Sequence, residues 1–297
     1  MSKSHTPQAR SKGAVPPRKG TQRAAARTPR RGLWMIAAVV VVIAIAGAVA
    51  IASGRHTQAN DQLAPAALVS KVTNVPVSVY RRVGTGSTVG APKRIDAPAL
   101  TESGKPLVLY IGAEYCPYCA TERWAMVAAL SRFGTFTGLR STHSSSTDVF
   151  PNTQTFSFHG ATYTSKWLAF TGVELQSNKR SGDGYATLDT PTAEQQSIFS
   201  TYDRAPYVGN DPSSAGGIPF IDFGGKFVVG GVSYDPAVLQ GKSANAIAEA
   251  LSDPTSTIAR GAIGTANTFT AAICALTNNQ PAAVCSDPSI TKIAASL

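Results

Sequence analysis

Lys105-Pro106-Leu107-Val108-Leu109-Tyr110-Ile111-Gly112-Ala113-Glu114-Tyr115-Cys116-Pro117-Tyr118-Cys119 is the stretch on which the fold turns. Leu107–Gly112 is an unbroken apolar run, the pattern of a central strand covered on both faces. After the Cys-Pro-Tyr-Cys motif, Ala120–Phe133 reads as a helix with Trp124, Val127, Leu130 and Ser131 on one face. A strand that runs straight into a helix puts Cys116 at the helix N-terminus, where unsatisfied N–H groups and the helix dipole favour a thiolate. Cys119 follows one turn later, in position to resolve a mixed disulfide. Pro117 suits the first helical turn because it has no N–H to leave unsatisfied.

Downstream, Gly134 and Gly138 end the helix and Leu139–Thr142 is the expected second core strand. Residues 143–215 read as a long insertion. It holds a hairpin of Thr155–Phe158 with Thr162–Ser165 around Gly160, a glycine-rich loop near Ser181–Gly184, and a helix from Thr192 to Tyr202 opened by a Thr192/Gln195 capping box. Gly217–Phe223 and Lys226–Gly230 then form strands about a Gly224-Gly225 turn. Residues 235–251 and 257–276 read as helices. Upstream, 53–63 is linker, and 64–83 is two short helices split at Pro76, with Leu68, Val72, Val75 and Val79 facing inward. Gly84-Thr85-Gly86-Ser87 follows no strand and lacks the lysine of a phosphate loop.

All four cysteines lie beyond residue 115, an even number that fits an oxidising compartment. Cys274 and Cys285 flank the turn-forming Thr277–Pro281. Their spacing suits a structural staple worth about 3 kcal/mol in the chain-entropy estimate, with a second redox relay as the alternative. Zinc ribbons repeat a short Cys-x2-Cys knuckle, and the second pair here is Cys-x10-Cys, so no metal is expected. A c-type haem would need histidine at position 120, which is Ala120.

The strand, Cys116-Pro117-Tyr118-Cys119 and helix, together with Gly217-Ile218-Pro219-Phe220 and the hairpin after it, resemble the thioredoxin superfamily. The layout is similar to a family of membrane-anchored thioredoxin-like proteins of archaea and actinobacteria, through Tyr163–Leu168 and Ala271–Cys285. That likeness implies an α/β thioredoxin-like three-layer sandwich over residues 64–297, with the 143–215 insertion between the second core strand and a cis-proline strand. It implies Cys116 and Cys119 as the catalytic pair, and Ile218, cis-Pro219, Pro117 and Tyr118 as the surface that binds substrate. No cofactor is implied. Tyr115 stands where thioredoxin itself has a tryptophan. Glu114 and Glu122 are near the motif, but acids at a helix start read first as solvated partners of the dipole. His143 and His159 are lone loop histidines, and Tyr163, Trp167 and Phe170 read as core or rim.

Composition sets the setting. The 297 residues carry 27 Lys and Arg against 17 Asp and Glu, a net charge of +10. Nine of the basic residues fall in residues 1–32, a leader without acids, leaving 18 basic and 17 acidic side chains elsewhere. The charge therefore belongs to a tail and gives no basic patch for nucleic acid on a folded surface. Leu33–Ala52 has no charge and no proline, and its length as a helix matches the ~30 Å of a bilayer core. With the positive side inward, the leader is expected in the cytoplasm and residues 53–297 outside, on a single-pass anchor. A cleaved signal peptide is the rival, since Ala48-Val49-Ala50 fits a cleavage site, but twenty apolar residues exceed its usual core. The expected activity is thiol–disulfide exchange on exported proteins, recharged by an envelope redox partner. The alternatives are a non-catalytic envelope scaffold module and a copper carrier. The carrier is disfavoured by only three Met residues.

Overall fold

The structure is a computed structural model that describes residues 62–209, 213 and 215–297. The basic leader, the apolar segment Leu33–Ala52 and the linker through residue 61 lie outside the described residues. Among the described residues no helix is long and apolar enough to cross a membrane.

Helices α1 (Ala66–Thr73) and α2 (Val77–Val83) come first, with Pro76 as the N-cap of the second. Leu68, Val72, Val75 and Val79 are all buried, as their spacing requires. Next come β1 (Lys93–Arg94), β2 (Thr101–Glu102), β3 (Lys105–Gly112) and α3 (Pro117–Leu130). They are followed by β4 (Gly134–Thr137), β5 (Arg140–His143), β6 (Gln154–Ser157), β7 (Thr162–Ser165) and β8 (Ala169–Glu174). A hairpin of β9 (Gln176–Ser181) and β10 (Gly184–Thr187) leads to α4 (Ala193–Tyr202). The chain continues through β11 (Phe220–Phe223), β12 (Phe227–Gly230), α5 (Ala244–Ala250), α6 (Thr257–Leu276), α7 (Ala282–Cys285) and α8 (Pro288–Ala294).

The architecture is mixed α/β around a central mixed sheet ordered β1-β12-β11-β3-β2, in which β8 also pairs with β3. The β3–β8 pair is parallel and the other pairs are antiparallel. Alternation along β3 divides the core. Val108 and Tyr110 join the larger cluster with Trp124 of α3 and Phe269 of α6. Leu107, Leu109 and Ile111 face the other way, toward Ile198 and Phe199 of α4. Helices thus cover both faces. At the β11–β12 turn, Gly224 and Gly225 have φ of 64° and 73°, the paired positive values that a tight hairpin of this hand needs.

Four expectations are corrected. The second core strand is Ala169–Glu174, not Leu139–Thr142, so residues 143–215 are not one insertion: β8 lies inside them and completes a β3–α3–β8 crossover. Its sequence hides this because only Val173 and Glu174 are buried, so no continuous apolar run marks it. The expected hairpin around Gly160 also does not form. β6 pairs with β5 and β7 with β4, one ladder nested within the other. Tyr163 and Ser165 fix β7 there, donating to the carbonyls of Leu130 and Phe133 at the end of α3. Every residue of helix α3 except Tyr118 is buried, rather than one face alone, because α1, α6, β6 and the turn at Pro236–Leu239 pack around it. Finally, 235–251 is not one helix: a 3₁₀ turn at Pro236–Leu239 is separated from α5 by Gly241, whose φ is 69°.

Candidate active site

Strand β3 delivers the chain to the N-terminus of α3, where Cys116 is the N-cap and Pro117 the first helical residue. Cys116 Sγ accepts the Cys119 backbone N–H at 3.3 Å and its thiol donates to the Ile218 carbonyl at 3.7 Å. Both cysteines are free thiols. Cys116 is 5% exposed and Cys119 is fully enclosed.

Their surroundings drive the two thiols apart. A hydrogen bond from the Cys119 thiol holds the Cys116 pKa below the usual thiol range, aided by backbone N–H groups of Cys119 and Tyr118 and the charge of Arg123, against the cost of burial. Burial pushes Cys119 far up, and donating to Cys116 pushes it further. One thiol is poised to ionise and its neighbour to keep its proton.

The Ile218–Pro219 peptide is cis and leads directly into β11. Pro219 is buried, and its carbonyl accepts from Gly231 N at 2.8 Å. Just upstream, Gly216 N donates to the Asp203 backbone carbonyl at 3.0 Å, and burial raises the Asp203 carboxylate pKa to about 7. The structure therefore gathers Cys116, Cys119, Pro117, Ile218 and Pro219 at one place. Tyr118 is 38% exposed, with its ring edge-on to Phe150 at 6.1 Å. Tyr115 stacks on Tyr185 at 4.3 Å, and its carbonyl accepts from Ser145 N at 2.7 Å. The 144–153 loop thereby rims the motif.

Beneath the thiols lies an ion pair that the sequence did not reveal. Arg123 Nε and Nη2 meet the two Glu174 oxygens at 2.8 and 2.5 Å, with both side chains fully buried. Arg123 Nη2 also donates to the Ala113 carbonyl at 2.8 Å. A signal for Arg123 did exist: it is four residues past Cys119, on the same helix face. Glu174 carried none, because its strand was not recognised.

Glu114 and Glu122 are corrected as well. Both are buried, not solvated at the helix start. Glu122 accepts from Ser233 N and Oγ at 3.0 and 2.5 Å, and burial lifts it to about 7. Burial also raises Glu114, opposed by a hydrogen bond with Ser157. His143 Nδ1 lies 2.8 Å from the Ser144 carbonyl, and His159 Nδ1 lies 2.7 Å from Asp189. Tyr163, Trp167 and Phe170 are partly buried against the main core. Among the described residues no cluster of His, Cys, Asp or Glu could hold a metal ion. Cys274 and Cys285 are bonded to each other, S–S 2.00 Å, joining the end of α6 to α7.

Residues 92–275, well over half the chain, match the family model described as Domain of unknown function (DUF929). The chain belongs to the DUF929 family. The DUF929 match runs from just before β1 to the end of α6, taking in Cys116, Cys119, Arg123, Glu174 and Pro219. No curated protein and no solved structure matches the chain.

Proposed function

We propose that this protein is a thioredoxin-like thiol–disulfide oxidoreductase, held at the outer face of a membrane by Leu33–Ala52 and acting on exported protein thiols and disulfides. The observation that carries the reading is the unequal dithiol. Cys116 is an N-cap thiol with its pKa lowered, beside the cis Ile218–Pro219 peptide, and Cys119 is a sealed thiol one turn away.

In the proposed cycle the Cys116 thiolate attacks one sulfur of a substrate disulfide. A Cys116–substrate mixed disulfide forms and the other substrate sulfur leaves as a thiolate. Cys119 then gives up its proton and attacks Cys116 Sγ. The mixed disulfide breaks, Cys116–Cys119 forms, and the second substrate sulfur departs and takes up a proton. The substrate gains two electrons and the protein dithiol loses them; the reverse sequence oxidises a substrate dithiol. Ile218 and Pro219 would dock the substrate backbone, with Pro117 and Tyr118 beside it.

The test is the reduction potential of Cys116–Cys119 in the full-length protein, equilibrated in glutathione buffers. A value between about −120 and about −270 mV supports exchange, with the more positive end marking an oxidant and the more negative a reductant. A pair that stays oxidised below about −300 mV, or that never exchanges, overturns the reading and favours a non-catalytic envelope module.

A further inference from the structure

The buried Arg123–Glu174 pair has no evident reason to exist as a stabilising device. Removing two charges from water costs several kcal/mol per ion, and apolar residues often fill such a space at least as well. Its position supplies the reason. Arg123 lies one helical turn below Cys119, and helical side chains lean toward the helix N-terminus, so the guanidinium is directed back at the motif. The Ala113 carbonyl, three residues before Cys116, accepts from Arg123 Nη2 at 2.8 Å, which ties the guanidinium to the segment that leads into the motif.

The guanidinium is not fully spent on Glu174. Among the described residues, Arg123 Nη1 is buried without a hydrogen-bond partner, as is the hydroxyl of Tyr110, whose ring centroid lies 5.7 Å from Arg123 Cζ. A buried cation acts on its neighbours through a low-dielectric interior, where its field is screened far less than at the surface. The ionisable groups sharing this space are Cys116 and Cys119, Glu174 from β8, Tyr110 from β3, and Glu114 and Tyr115 from the β3–α3 junction.

We propose that Arg123 is the positioning residue of the dithiol: it offers charge to whichever cysteine is the thiolate, and Glu174 holds it in place and tempers that charge. This rests on the redox reading above. In the first half of the cycle the negative charge is on Cys116; in the second it moves to Cys119 as the proton leaves. A fixed cation beneath both sulfurs serves the two steps without moving, and Glu174 limits how strongly the reduced form is favoured.

Two opposite variants test this. Full-length protein is alkylated with iodoacetamide across pH 4–9, and Cys116 modification is followed at the peptide level by mass spectrometry. Arg123→Met is expected to shift the Cys116 profile to higher pH and slow its alkylation at pH 6 by roughly tenfold, as one pKa unit implies. Arg123→Lys should restore part of the loss. Glu174→Gln, nearly isosteric, is expected to shift the profile the other way, with the double variant between the two singles. With glutathione disulfide as substrate, Arg123→Met should also slow release of glutathione from Cys116. A structural role would move both single variants in one direction, and that result overturns the proposal. Should Arg123→Met not fold, an unshifted Glu174→Gln overturns it alone. Failure of the redox reading looks different: the wild-type protein itself would neither alkylate at Cys116 nor exchange with glutathione.

Discussion

Cys116 and Cys119 are 5% and 0% exposed, and Cys274 and Cys285 are 1% and 3% exposed, yet the first pair is a dithiol and the second a bond. Burial alone therefore does not separate the free pair from the bonded one. The polarity of their surroundings differs. The first pair has a helix N-terminus, backbone donors and a guanidinium within electrostatic reach. The second closes a short loop between α6 and α7, and its sulfurs belong to the main apolar core.

The sharpest way to break this contrast is to exchange the roles. Cys116→Ser should reduce thiol–disulfide exchange to background. Cys119→Ala should leave the first attack intact and trap substrates on Cys116 as dithiothreitol-sensitive adducts on non-reducing gels. Equal activity in either variant and the wild type would show the dithiol to be inert. Replacing Cys274 and Cys285 with Ser should instead cost about 3 kcal/mol of unfolding free energy, read by urea titration, with the Cys116 alkylation profile unmoved. A shifted profile would mean that the two pairs communicate.

Glu122 sharpens the contrast within α3 itself. It is fully buried and raised from the usual carboxylate range to about 7. Between about pH 4.5 and 7 the folded state holds more protons than the unfolded state, so stability must fall as pH rises through this window and stay lowered above it. Glu122→Gln should lessen that slope by about 3 kcal/mol, leaving the part due to Asp203 and Asp222, which burial raises to about 7 and about 6; unfolding at pH 5 and pH 8 measures the difference. A wild-type stability independent of pH here would contradict the assignment. The smallest effect is expected at α4, where Thr192→Ala removes the side-chain acceptor of the capping box while its backbone N–H can still donate to Gln195, and should cost about 1 kcal/mol in the same titration.

The sequence was most readable where chemistry and periodicity coincide. The β3 run, the α3 start, the capping box and the glycine pair at the β11–β12 turn each carry a local cause that tertiary context did not override. Legibility failed where partners are distant. β8 is a core strand by its pairing with β3, not by its composition, and a half-buried Ala169–Gly172 looks like any loop. The 155–165 segment shows two strands correctly, but Gly160 permits a turn without dictating which strands it joins. Arg123 and Glu174 are 51 residues apart. Without β8 in the sheet, nothing could bring that carboxylate under the cysteines. An acid beside a helix start reads as solvated until the covering elements are known, and that was the error at Glu114 and Glu122.

The nested ladders between α3 and β8 have a consequence for how such a chain can diversify. Because β4 closes on β7 and β5 on β6, the excursion leaves the sheet and returns with its ends fixed, like a stem. Its tip is sealed at the base by Ser144 bonding Thr153 and Asn152 bonding Ser145, and it comes to rest against Tyr115 and Tyr118. The residues 146–151 can therefore be exchanged as a cassette, altering what passes the rim of the dithiol while the register of the sheet stays as it is.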